Sequence, residues 1–216
     1  MARVVLPGIP HHVTQRGVRG MDIFRSELDR LFYLKMMKQY CNRYSLSIVT
    51  WCLMSNHVHL IAVPDEKRSL AKAVGEAHKG YTGTFNKRNN EKGFLFGGRF
   101  FSTPMDRQHF YAAVRYVLRN PVRAGIVEDP MEYRWSSVRF NAGREEQDPL
   151  IESNDRLNWV THWEEYLKSD PEEIDVIRAS TRTGRPCGGE EFLTLAETIT
   201  GRDLRKHSPG PKSETD

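Results

Sequence analysis

Taken as a string of apolar and polar positions, the chain opens on an alternating stretch. Over residues 8–16, GIPHHVTQR, Ile9, His11, Val13 and Gln15 alternate with Pro10, His12, Thr14 and Arg16, which predicts a first strand beginning after Pro10. Gly17 and Gly20 bracket a turn from which Val18 and Arg19 project. Ser26 followed by Asp29 predicts a helix start, short of the full capping box that has Glu or Gln at that position. Leu28, Leu31, Phe32, Leu34, Met36 and Tyr40 then form a helical stripe running to about Arg43. Residues 46–54, LSIVTWCLM, are almost continuously apolar, as a buried central strand requires. Ser55 and Asn56 turn the chain into HVHLIAV, closing at Pro64, so the two runs read as an antiparallel hairpin. Residues 69–88 show helical spacing with Ser69 as the expected N-cap, and FFSTPM, 100–105, reads as an edge strand. Asp106 caps a further helix, DRQHFYAAVRYVLRN, which should end where Asn120 precedes Pro121.

The order strand, helix, strand, strand, helix, strand, helix predicts an α+β fold, a ferredoxin-like antiparallel sheet with helices on one face. Residues 121–140 should fold back onto this domain through Ile126, Val127, Tyr133, Trp135 and Val138. Beyond Gly143 the composition turns acidic and polar before three helical segments, the last stopped by Gly201. The expected organisation is a catalytic domain over 1–142, a helical extension over 143–206 and a disordered tail over 207–216, with no internal repeat.

Composition narrows the class. A chain of 216 residues with 38% hydrophobic content buries a real core, and no apolar run approaches the ~18 residues that span a bilayer. The first residues carry no signal-peptide pattern, so the expected location is the cytoplasm and no membrane partner is expected. Cys41, Cys52 and Cys187 lack CxxC spacing and read as reduced thiols. The net charge of +4 and pI near 9.0 favour a polyanionic partner. Lys87, Arg88, Lys92, Arg99, Arg107, Arg115, Arg119 and Arg123 concentrate that charge in the middle of the chain. Phe94, Phe96, Phe100 and Phe101 are interleaved with it, a pattern that suits either stacking on single-stranded nucleic acid or burial in the core.

The candidate chemistry lies in two distant stretches. In SNHVHLI, His57 and His59 share one strand face and could chelate one divalent metal, although His-x-His alone is too common by chance to carry a function. His11 and His12 are either further ligands or polar strand positions near bound phosphate, the second being the simpler reading. Tyr116 and Asn120 stand four apart, on one face of the helix after the last strand. A tyrosine hydroxyl, with a reference pKa near 10, becomes a useful nucleophile only beside a positive charge or a proton acceptor. The carbonyl oxygen of Asn120 could complete a set with the two imidazoles that suits Mg²⁺ or Mn²⁺ and also admits zinc or nickel. Tyr111 stands about 140° around the same helix and reads as a packing residue, while Tyr81 and Tyr133 read as core or surface aromatics.

NHVHL on a strand, YVLRN running into PVRAGIV, and the following YRWSS together resemble the single-tyrosine HUH-class transposases, and within them the REP-associated tyrosine transposases. The resemblance covers about residues 1–140 and agrees with a ferredoxin-like sheet. It implies that His57, His59 and Asn120 are metal ligands, Asn120 standing where insertion-sequence relatives usually have Gln, and that Tyr116 is the nucleophile. It further implies a metal-dependent endonuclease and strand transferase that cleaves single-stranded DNA at palindromic hairpins through a 5′-phosphotyrosine. Arg16, Arg19, Arg99, Arg107 and Arg123 are the candidate DNA contacts, and a monomer is expected. Two alternatives stay open: a regulator on the same fold that binds hairpin DNA without cutting it, and a metal-dependent hydrolase of small phosphoesters, which would need no basic surface.

Overall fold

The computed structural model describes residues 3–205. Four strands, β1 (His11–Arg16), β2 (Leu46–Leu53), β3 (His57–Pro64) and β4 (Phe101–Pro104), form one antiparallel sheet in the order β2-β3-β1-β4. With α1 (Glu27–Arg43) between β1 and β2, and α2 (Ser69–Asn89) between β3 and β4, this is the expected ferredoxin-like α+β topology. Both helices cover one face. There Tyr33, Leu34 and Met37 of α1 and Leu70, Val74 and Tyr81 of α2 pack with Val13, Trp51, Leu60 and Ala62 of the sheet.

The alternation of side chains along a strand sends the neighbouring positions to the other face. Cys52, Ile61 and Val63 there meet Phe110, Ala113, Val114 and Val117 of α3 (Arg107–Leu118). His12, His57 and His59 lie on this second face, so the strand register places them beneath α3.

Local signals explain most boundaries and correct two. Ser26 and Asp29 form a complete capping box: Asp29 N–H donates to the Ser26 hydroxyl, and the Asp29 carboxylate accepts from the backbone N–H of Ser26 and Arg25. Aspartate serves because its carboxylate reaches both amides from N3. Ser69 is not the N-cap of α2; Arg68 holds that position, and the Ser69 hydroxyl accepts from Glu66 N–H. α3 ends at Leu118, and Asn120 does not leave helical geometry but opens the short turn α4 (Asn120–Arg123). Pro121 is tolerated there because the first helical N–H groups have no intrahelical acceptor.

Among the described residues four further α-helices follow: α5 (Val138–Asn141), α6 (Trp163–Tyr166), α7 (Ile174–Thr183) and α8 (Glu190–Thr200). Gly201, at φ 65°, ends α8 in left-handed conformation, as expected. These segments join the same cores: Leu150 and Ile151 enter the α1–α2 side, and Leu157, Leu167, Ile177 and Cys187 the α3 side. Helix α7 lies against β4, β1 and α3. The three cysteines are buried and free. Among the described residues no helix is long and apolar enough to cross a membrane. The tail expected over 207–216 lies outside the described residues.

Candidate active site

β3 presents His57 and His59 side by side because one residue separates them; their ring centroids are 5.0 Å apart and nearly perpendicular, at 83°. Each ring is held through Nδ1. His57 Nδ1–H donates to Asn56 Oδ1 at 2.6 Å, and His59 Nδ1 is 2.9 Å from His12 Nε2. An imidazole tied at Nδ1 keeps Nε2 for another partner, the arrangement that metal-binding histidines use. The Asn120 side chain, itself buried, stands beside His57.

Electrostatics keep these rings neutral. Burial first, then Arg16, lower His57 to about 4, with neighbouring Asn120 opposing the shift. Burial, His12 and His57 drive His59 well below its ordinary value, and burial with Arg123 takes His12 to about 3. At neutral pH both candidate ligands therefore offer lone pairs without losing a proton. Among the described residues no third His, Cys, Asp or Glu is placed to join them. The groups of the cleft that could hold a divalent ion are the two imidazoles and the Asn120 amide oxygen.

Tyr116, on α3, brings its ring edge-on to both His59, at 5.7 Å, and His12, at 5.8 Å. Arg123 stacks its guanidinium 4.0 Å from the Tyr116 ring centroid, donates to the Tyr116 carbonyl at 2.9 Å and pairs with Asp170 at 2.9 Å. The ring is thus clamped between imidazoles and a cation.

A cleft of about 840 Å³ joins these groups: Arg16, Arg19, His57, His59, Tyr116, Asn120 and Arg123 all line it. Gly17 also lines it, and a side chain would not fit there, since a Cβ would stand 2.1 Å from the Met21 carbonyl oxygen. Arg99 lies in an adjoining groove with Arg3, Phe100 and Phe101, and Phe101 borders both. Arg107 is not brought to the cleft; it lines a separate cavity with Tyr111, Arg115 and Trp159 on the far side of α3. Its position at the start of α3, more than two turns from Tyr116, turns it elsewhere.

Of the aromatics near the basic stretch, Phe96 and Phe100 enter the core, whereas Phe94 and Phe101 are 89% and 48% exposed. Tyr111 packs on Trp159, with centroids 3.8 Å apart, and Tyr81 and Tyr133 are buried. Neither His11 nor His12 lines the cleft. His11 anchors the segment before β1, donating from Nδ1 to the Ile9 carbonyl at 2.8 Å and accepting at Nε2 from Leu6 N–H at 3.2 Å. His12 stands behind His59. Sequence reasoning missed Arg178, Thr181 and Arg182, which α7 contributes to the cleft wall. Their spacing of three and four along a helix was a signal that they share a face, but nothing in the sequence tied that face to the distant histidines.

Comparison with known proteins adds the family. Residues 10–120 match the sequence model described as transposase, IS200-like. No curated protein matches the chain. Among solved structures, a REP-associated tyrosine transposase bound to a REP hairpin is similar over 71% of this chain and 90% of that one, with 15% identity and a TM-score of 0.51. A candidate transposase from Deinococcus radiodurans is similar over 54% of this chain and 94% of its own, with 15% identity and a TM-score of 0.39.

Proposed function

The chain belongs to the IS200-like transposase family, and from that premise we propose that it is a metal-dependent endonuclease and strand transferase acting on single-stranded DNA at palindromic, REP-like hairpins. The observation that carries this reading is the convergence of Tyr116, two neutral imidazoles and three of the candidate arginines in one cleft.

His57, His59 and Asn120 would hold the ion, Mg²⁺ or Mn²⁺. Bound there, it supplies charge neutralisation to the scissile phosphate. The rest is the work of this chain's own residues. The Tyr116 Oη forms a bond to phosphorus as the bond from phosphorus to the 3′ oxygen breaks; the phenolic proton leaves to solvent and the departing oxygen takes one up. The products are a 5′-phosphotyrosine and a free 3′-OH, and attack by that or another 3′-OH regenerates the phosphodiester and the tyrosine. Arg123 restrains the phenol ring through its stacking and its bond to the Tyr116 carbonyl, which keeps the nucleophile oriented. Arg16 and Arg19 supply phosphate contacts within the cleft, and Arg99 extends them along the groove past Phe101, where bases can stack. Arg107 is left out of this set.

The hairpin class follows the residue-level resemblance, and the similar solved protein is described with a REP hairpin. In this reading residues 1–142 form the catalytic domain, 143–206 the extension, and the protein acts as a cytoplasmic monomer.

The test uses a labelled single-stranded hairpin oligonucleotide taken from palindromic repeats flanking the gene, incubated with Mn²⁺ or Mg²⁺ and resolved on a denaturing gel. A protein-linked band that requires both metal and Tyr116, and is lost in Tyr116→Phe, is the expected result. Tight, salt-sensitive binding with no adduct under either metal would sink the cleavage chemistry and leave a hairpin-binding regulator. Turnover of small phosphoesters without a covalent link would point to the hydrolase.

A further inference from the structure

Behind the candidate ligand His59 runs a chain of hydrogen bonds that leaves the family-matched span. His59 Nδ1 lies 2.9 Å from His12 Nε2, His12 Nδ1 lies 3.1 Å from the Thr181 hydroxyl, and that hydroxyl donates to the Ile177 carbonyl at 2.7 Å. The two imidazole planes are nearly parallel, with 5.1 Å between centroids and 15° between planes, as an in-plane bond between ring nitrogens requires, and both rings are buried.

The direction of the chain is decided at its far end. A threonine hydroxyl has one hydrogen. Because Thr181 gives that hydrogen to the carbonyl one helical turn back, it meets His12 as an acceptor, and His12 must carry its proton on Nδ1. The Nε2 of His12 is then a lone pair, so His59 must in turn carry its proton on Nδ1. That leaves His59 Nε2 without a proton. Were Thr181 to donate to His12 instead, every proton in the chain would shift to the other nitrogen, and His59 Nε2 would be an N–H, unable to ligate a metal.

Helix α7 is fixed in the place this requires: Ile177 is buried, and the Thr103 hydroxyl on β4 donates to the Ser180 carbonyl at 3.0 Å. We propose that Thr181 is a positioning residue of the active site, which acts through His12 to hold His59 in the Nδ1–H tautomer and so frees Nε2 as the ligand atom. The inference rests on the reading of His59 as a metal ligand. It makes the helical extension a working part of the catalytic centre.

The test takes the full chain, labelled with ¹⁵N, and reads the imidazole nitrogens of His12 and His59 by NMR without metal. Mn²⁺ is then titrated and its free concentration followed by EPR. Wild type should show Nδ1–H on both rings. Thr181→Val, equal in shape but without the hydroxyl, should show mixed tautomers at His59 and bind Mn²⁺ about tenfold more weakly, the lower end of what loss of an outer-shell partner costs. Thr181→Ser should restore both. Nε2–H on His59 in wild type, or tautomers and affinity unmoved by Thr181→Val, would overturn the proposal. His59→Ala separates this from the reading beneath it. If Mn²⁺ binding ignores that substitution, His59 is not a ligand and the ligand-freeing role falls with it, whereas loss of Mn²⁺ binding in His59→Ala with normal binding in Thr181→Val removes only the role of Thr181.

Discussion

The acid response of this fold can be worked from one residue remote from the cleft. His78 on α2 is buried among Tyr33, Phe96 and Phe100; its Nε2 lies 3.0 Å from the Tyr33 hydroxyl and its ring stacks on Phe96 at 4.4 Å. Burial alone lowers its pKa from 6.5 to about 3. The folded state therefore resists the proton that the unfolded chain accepts. Stability is complete above pH 6.5 and falls, as pH drops from there towards 3, by about 1.4 kcal/mol per unit for this one group. His78→Phe keeps an aromatic ring in the site but leaves the Tyr33 hydroxyl without its partner. At pH 7.5 the variant should be less stable by roughly 1–3 kcal/mol. It no longer carries the titration, so its deficit should narrow by about 1.4 kcal/mol between pH 7.5 and pH 5.5. Urea unfolding of both proteins at the two pH values, with matched slopes, measures the gap. A gap that stays constant would mean His78 takes up its proton equally in both states, and the burial argument would fail.

Four further outcomes are expected. Arg178→Ala and Arg182→Ala should each reduce the salt dependence of single-strand binding by about 0.7 in log–log slope if each removes one phosphate contact, with Arg107→Ala unchanged, measured by fluorescence anisotropy from low to moderate salt. Asn120→Ala should weaken Mn²⁺ binding by more than the roughly tenfold cost of losing an outer-shell partner, while Asn120→Asp, which keeps the oxygen donor, should retain it; free Mn²⁺ followed by EPR distinguishes the two. Arg19 sits in left-handed backbone at φ 53°, so Arg19→Gly should stabilise the fold by about 1 kcal/mol in urea unfolding yet bind oligonucleotide more weakly. Gly17→Ala should destabilise it by about 2 kcal/mol and displace the Arg19 turn, because its Cβ meets a backbone carbonyl rather than a movable side chain.

The fold was legible where local and tertiary demands coincide. Alternation in β1 and the continuous apolar run of β2 reflect what those strands bury, and the element order admits few sheets. The expected stripe of α1 did not hold: the buried face is Tyr33, Leu34, Met37 and Cys41, while Leu28 and Leu31 stay exposed, because the sheet and α2 set which side of the helix is covered. The Ser26–Asp29 start was legible as well, because a cap is satisfied by neighbours in sequence. Failures occurred where the deciding contact is distant or the local signal has two solutions. Ser69 can cap a helix or sit one residue inside it, and only the position of Glu66 N–H decides. Pro121 can end a helix or begin one, and here it begins a turn that keeps Asn120 beside His57. The stretch around Trp163 has the composition of a longer helix, yet α6 is one turn, since Trp159, Trp163 and Tyr166 are drawn into packing with each other and with Tyr111.

The site divides along the same line. His57, His59, Tyr116 and Asn120 could be read because each lies in a short pattern whose spacing sets a shared face. His12 was visible as a residue but not as a role: adjacent histidines on one strand point to opposite faces, and only the pairing of β1 with β3 shows that His12 lies behind His59 while His11 holds the segment before the strand. Thr181 carried no signal of such a role. A threonine in a polar helix, 122 positions from His59, gains its meaning from one proton, and the direction of that proton is set by a backbone carbonyl in its own helix. It follows that a search confined to the matched span would find both imidazoles and still miss the group proposed to determine which nitrogen of His59 can bind.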